Sequence, residues 1–131
     1  MNITKNNVNE FGFEQVLITM LWSECDDTEM NDPLDYNYDI NDIDTVLVES
    51  IQNKYLSFLE TALTILPPDF IPDWSSMGHD FWLTCRGHGA GFWDRQELTY
   101  QNIGGQLTKA CEDIYLPELY CENGRIYSHS F

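Results

Sequence analysis

Eighteen consecutive residues, GHDFWLTCRGHGAGFWDR from 78 to 95, gather two His, two Asp, two Arg and two Phe-Trp pairs among four glycines. His88 stands between glycines, where an imidazole can serve as general base if a carboxylate orients it, and Asp80 and Asp94 are the candidates for that role. Arg86 or Arg95 can hold an anion beside it. A glycine-rich turn also brings backbone N–H groups close enough to cradle a phosphate. Neither a P-loop nor a nucleophile elbow is present. The same residues equally suit a hairpin whose glycines permit a tight turn, whose aromatics fill the core and whose Arg–Asp pairs hold two strands together.

Metal chemistry has less to stand on. His79, Cys85 and His88 have spacings of six and three, and a tetrahedral zinc site would need a further Cys or His. Cys111 and Cys121 are ten apart, so no closely spaced second pair exists. The alternation Asp35–Asn37–Asp39 resembles the opening of a calcium loop, but Ile40 and Val46 stand where such a loop needs Gly and Glu. Neither a metal nor a cofactor is expected.

The charge supplies a third candidate. Twenty-two acidic residues against six basic ones give a net charge of −16 over 131 residues. Ten carboxylates and no base lie in the stretch from Glu24 to Glu49: Glu24, Asp26, Asp27, Glu29, Asp32, Asp35, Asp39, Asp42, Asp44 and Glu49. Direct binding to nucleic acid needs Lys and Arg to displace counterions, and anionic membrane surfaces need the same, so both are excluded as partners. A folded row of carboxylates can instead imitate phosphate spacing and occupy the basic groove of a nucleic-acid-binding protein, with complementary potentials raising the on-rate. Tyr36, Tyr38 and Trp22 are its potential anchors, or else core residues. An acidic face that merely keeps the chain in solution is the plainer alternative.

The elements that must position these groups follow from periodicity. Phe13, Val16, Leu17, Met20 and Leu21 fall on one face of a short helix ending near Trp22–Ser23. Residues 24–44 read as a long ordered acidic loop, with Asn41 or Asp42 as N-cap of the next element. Ile43, Leu47, Ile51, Tyr55, Leu59, Ala62 and Leu66 form a stripe along a helix over 43–66, which Pro67 and Pro68 stop. After the Pro-rich connection 67–78, HDFWLTC and AGFWDR read as two short strands joined by the turn 86–89. A third helix is expected within 98–115, although Gly104 and Gly105 weaken its first half. ELYC and RIYS flank Glu122–Asn123–Gly124, the strongest short hairpin signal in the chain. The expected fold is a single α+β domain, 1–131, with about three helices packed on a small antiparallel sheet made of two hairpins. An aromatic fraction of 14% supports a real core. The N-terminus carries no stretch of signal-peptide character, and the four cysteines lack any Cys-x-x-Cys pair, so reduced thiols and a cytoplasmic location are expected.

The 78–95 segment resembles a motif, close to GHDFWLTRNGHGAGFWDR, of a family of small acidic proteins encoded by bacteriophages and other mobile elements. LWSECDD and PLDYNYDINDI, and the terminal hairpin, are similar to further parts of that family's pattern. Cys85–Arg86 stands where the family has Arg-Asn, and the acidic loop differs in length and content. The resemblance implies an accessory role in the host cytoplasm, with no reaction attached. The function expected is therefore a phage-type accessory protein that inhibits or modulates a basic host protein through its acidic surface, as a nucleic-acid mimic of the anti-restriction or anti-CRISPR kind. The alternative is a small enzyme or ligand-binding protein using the 78–95 turn.

Overall fold

The computed structural model describes residues 2–26, 31–87, 91–92 and 95–129. A 3-10 turn over Val8–Phe11 leads through Gly12 into helix α1 (Phe13–Ser23), whose buried residues Phe13, Val16, Leu17, Met20 and Leu21 form the single face that the spacing predicts. The acidic segment that follows is no featureless loop. Two 3-10 turns, Leu34–Tyr36 and Ile40–Asp42, fold it into short segments.

Helix α2 (Thr45–Ile65) buries Leu47, Ile51, Tyr55, Phe58, Leu59 and Ala62. Its N-cap is Asp44, whose Oδ2 accepts the Val46 N–H at 3.1 Å, and not Asn41 or Asp42. Asp42 works one turn earlier. It shares a reciprocal capping box with Asp39 around the preceding 3-10 turn, each carboxylate accepting a backbone N–H of that turn.

The largest departure from the sequence reading lies in 74–95. Residues 79–85 are not a strand but the body of helix α3 (Trp74–Arg86). Asp73 caps its N-terminus by accepting the N–H groups of Ser75 and Ser76, and Gly87, at φ 77°, closes its C-terminus. The signals are an Asp cap and a closing Gly with thirteen residues between them. The density of aromatics masked them, because Phe and Trp favour strands only through packing that a helix can equally supply. The second half of the expected hairpin falls largely outside the described residues. Residues 91–92 and 95 onward run into 3-10 turns, Gln96–Leu98 and Tyr100–Asn102, before helix α4 (Ile103–Cys111).

The terminal hairpin has the expected form. Strands β1 (Leu119–Glu122) and β2 (Arg125–Ser128) pair antiparallel with Tyr120 opposite Tyr127 and Cys121 opposite Ile126. Asn123 and Gly124 hold φ of 52° and 77°, the positive values a type I′ turn demands. Ile126 is fully buried and bridges to Ile43, while the Asp44 N–H donates to the Ile126 carbonyl at 2.9 Å. Among the described residues the architecture is thus α+β with four helices and one hairpin, where about three helices and two hairpins were expected. No helix of the described residues is long and apolar enough to cross a membrane.

The core is one cluster centred on aromatic rings. Tyr55, Phe58, Phe81 and Phe92 stand with successive centroids 5.0–6.2 Å apart, a separation typical of favourable ring pairs. Around it α1 and α3 approach until their backbones touch. A Cβ on Gly78 would collide with the Gly12 carbonyl oxygen, and one on Gly12 with the Trp74 carbonyl. Tyr55 tightens the same corner by donating its hydroxyl to the Phe11 carbonyl at 2.6 Å, and burial raises its pKa far above that of an ordinary phenol. Gly78→Ala is therefore expected to cost about 3 kcal/mol in urea denaturation, at the upper end of overpacking penalties. Gly87→Ala, strained in φ but open in space, should cost about 1 kcal/mol. Equal penalties would mean that the helices can part without loss.

Candidate functional site

Of the polar groups singled out above, helix α3 carries His79, Asp80, Cys85 and Arg86, and it sends Asp80 and Arg86 in different directions. Asp80 lies on its buried side with the residue 2% exposed. Both its oxygens are engaged by Arg95, Nε donating to Oδ2 at 2.7 Å and Nη2 to Oδ1 at 2.9 Å. This is the bidentate fork that matches a guanidinium to a carboxylate. The hydrogen bonds to Asp80 raise the pKa of Arg95, so the guanidinium stays charged throughout the ordinary pH range. His79 Nδ1 stands 2.8 Å from Asp80 Oδ1, which assigns the Nδ1–H tautomer as donor, and its ring stacks on Trp22 of α1 with centroids 5.7 Å apart. His79 is thus the imidazole that meets Asp80. The sequence offers it only as a member of a zinc set, because neighbours along a strand point to opposite faces.

Arg86 does not join this group. Six residues further along the helix, it projects from a different side and meets Glu24. Its Nε lies 3.3 Å from Glu24 Oε2, which also accepts the Trp82 indole N–H at 3.2 Å. Arg86 Nη2 donates to the Pro117 carbonyl at 2.6 Å and Nη1 to that of Leu116 at 3.4 Å, while the guanidinium sits 5.1 Å from the Trp82 ring centre. One side chain therefore ties the end of α1, the end of α3 and the approach to β1 together. His88 and Asp94, the other members of the candidate catalytic set, lie outside the described residues.

The acidic run also divides. Glu24 is half-buried in the cluster just described, and Asp26 is buried with its N–H donating to the Asp32 carbonyl at 2.8 Å. These two are withdrawn from an acidic face, Glu24 by its pairing with Arg86 and Asp26 by its burial. Asp35, Asp39 and Glu49 are exposed, and Asp32, Asp42 and Asp44 are partly so. Asp27 and Glu29 lie outside the described residues. Of the three aromatics expected as anchors, Tyr36 is 70% exposed and Trp22 is 43% exposed, while Tyr38 packs against the core.

The metal candidates do not assemble. Among the described residues no group of three His, Cys, Asp or Glu side chains could hold a metal ion, and Cys85 is hydrogen-bonded with Cys111. A hydrogen bond with Cys85, together with burial, pushes the Cys111 thiol up and keeps it protonated.

Beside Asp80 and Arg95 a cleft of about 230 Å³ opens. Its walls are Phe70, Ile71, Pro72, Met77, Phe92 and Leu98, with Asp73, Ser76 and Glu97 among its polar groups. Phe92 is held there by stacking on Phe58, and by Gly104, whose missing side chain leaves room for the Phe92 carbonyl. No protein-family profile matches the chain, and neither a curated protein nor a solved structure matches it.

Two outcomes follow from the two ends of α3. Arg86→Ala should destabilise the fold by about 2–3 kcal/mol, somewhat less than breaking a fully buried pair, and Arg86→Lys should recover less than half because an ammonium cannot fork to Glu24 and two carbonyls. A loss under ~0.5 kcal/mol in thermal denaturation would show the cluster to be loosely held. At the other end of α3, the Ser76 hydroxyl and N–H hold the Asp73 carboxyl below its ordinary pKa. A depressed pKa means that this stabilisation is complete above the ordinary carboxylate range and is lost as pH falls through the folded value. Asp73→Ala should therefore cost about 1 kcal/mol at neutral pH. The gap to the parent should close in urea melts at a pH of about 2. A gap independent of pH would place the capping effect elsewhere.

Proposed function

We propose that this chain is a binding protein that docks on a basic, nucleic-acid-binding host protein through the acidic surface of residues 32–49, and inhibits or modulates it by occupying the groove that otherwise holds phosphates. The observation that carries this reading is the separation of charge. Arg86 and Arg95 are engaged inside the fold by Glu24 and Asp80, and Arg125 Nη2 donates to the Ile43 carbonyl, while Asp35, Asp39 and the ring of Tyr36 stand at the surface, as does Glu49, whose Oε1 lies 3.8 Å from the exposed Lys5 Nζ. The carboxylates are also held in place before any partner arrives. The capping box of Asp39 and Asp42, and the cap of Asp44 on α2, fix three of them to backbone N–H groups. Ordering a charged segment in advance lowers the cost of binding.

The resemblance to small acidic phage and mobile-element proteins supplies the setting: an accessory protein acting in the host cytoplasm, of the kind that blocks a host-defence enzyme. The enzymatic alternative has less support, because the best-buried carboxylate, Asp80, is engaged on both oxygens by Arg95 and His79.

Asp35→Lys with Glu49→Lys tests this proposal without removing a cap. Tagged protein is incubated with bacterial lysate at low and moderate salt, with and without duplex DNA as competitor. The parent is expected to retain a basic protein that both salt and DNA displace. The double variant should lose it while its stability stays within about 0.5 kcal/mol of the parent. Retention that neither the reversals nor DNA can weaken would sink the proposal.

A further inference from the structure

We propose that the cleft that α3 forms with Phe92, Arg95, Glu97 and Leu98 is a binding site for a small organic cation, an ammonium or guanidinium on an apolar stem. Among the described residues none of the acidic run lines the cleft, so the inference is independent of the docking surface. At about 230 Å³ it lies below the ~300–1,000 Å³ usual for drug-sized ligands, which points to a fragment-sized occupant. Phe70, Met77, Phe92 and Leu98 give it an apolar interior, and Ile71, 90% exposed, leaves further apolar surface open beside it.

The sign of the ligand's charge follows from what the lining carboxylates already touch. Arg95, the cation of the described lining, is matched by Asp80 through two hydrogen bonds, so it offers little net attraction to an anion. Asp73 and Glu97 lie within Coulomb reach of the same guanidinium, so the described lining sets three carboxylates against one cation. The Asp73 carboxylate accepts only from the first turn of α3, a Ser hydroxyl and two backbone N–H groups, and Glu97 is exposed with no hydrogen bond to its carboxylate among the described residues. Two carboxylates beside an apolar cleft with phenyl rings in its walls favour an organic cation twice over: Coulomb attraction holds the head, and burial with cation–π contact holds the stem. A purely apolar ligand would gain only the second contribution, and a carboxylate ligand would be repelled.

The chemistry has two sources, a free small amine or a Lys or Arg side chain of a protein, and one titration separates them. The ¹⁵N-labelled protein is titrated with 2-phenylethylammonium, with its neutral counterpart 2-phenylethanol, with 3-phenylpropionate and with N-acetylarginine methylamide. Phenylethylammonium or the arginine derivative is expected to move the amide signals of Ser76, Met77 and Gln96–Leu98 with millimolar affinity, typical for a fragment. The tighter of the two identifies the source. The alcohol should bind several-fold more weakly and the carboxylate not at all. Glu97→Gln, at an exposed position, should weaken the cation about three- to fivefold, the scale of an exposed charge pair, whereas Glu112→Gln should leave it unchanged. Equal binding of the alcohol, preference for the carboxylate, no binding of either cation, or indifference to Glu97→Gln would each overturn the proposal.

Discussion

Gly78 of α3 rests against the carbonyl of Gly12, and no other residue type would let two backbones come so near. That contact sets the distance between α1 and α3, and much else is placed by it. With the helices this close, Trp22 can lie over the imidazole of His79, and Glu24 can reach both the indole of Trp82 and the guanidinium of Arg86. The hydroxyl of Tyr55 meets the Phe11 carbonyl at the same corner, so α2 is drawn into the arrangement. A methyl group at position 78 would push on all of these at once. The polar groups of α3 thus owe their positions to a residue that carries no chemistry.

The elements that were legible are those in which one face alone is apolar. Helices α1 and α2 show the three- and four-residue spacing without interruption, and Asn123–Gly124 names its turn by conformation alone. Helix α3 was illegible for the opposite reason. Met77, Phe81, Trp82 and Leu83 are all buried, as are Gly78 and Asp80. A helix buried over so much of its surface loses the alternation that would separate it from a strand. The site suffered accordingly. A hairpin reading sets His79 and Asp80 on opposite faces and brings Arg86 toward the turn. The helix instead joins His79 to Asp80 and sends Arg86 to Glu24. Asp80 and Arg95, fifteen residues apart, could be named as an ion pair from their types, but the side on which they meet depends on a helix that was not foreseen.

Charge in this molecule is sorted by depth. Where Arg enters the fold it finds a carboxylate or carbonyls, because a guanidinium left half-buried and unpaired would be costly. The carboxylates that remain outside are partly absorbed in local geometry, as caps of turns and of α2, and this explains why an excess of negative charge is compatible with an ordered segment. Each cap offsets some of the repulsion by giving a carboxylate the positive end of a turn or helix. The acidic composition is therefore a structural resource of the segment as well as a property of its surface.

The bridge between Ile43 and Ile126 has a consequence in time. The Asp44 N–H that precedes α2 donates to a carbonyl eighty-two residues further along, and Arg125 reaches back to the Ile43 carbonyl. A chain emerging from the ribosome at roughly 5–20 residues per second exposes the acidic segment several seconds before strand β2 exists to hold it. Throughout that interval the start of α2 has its own Asp cap but not its anchor. The hairpin, synthesised after the acidic segment, is thus the latch that fixes it.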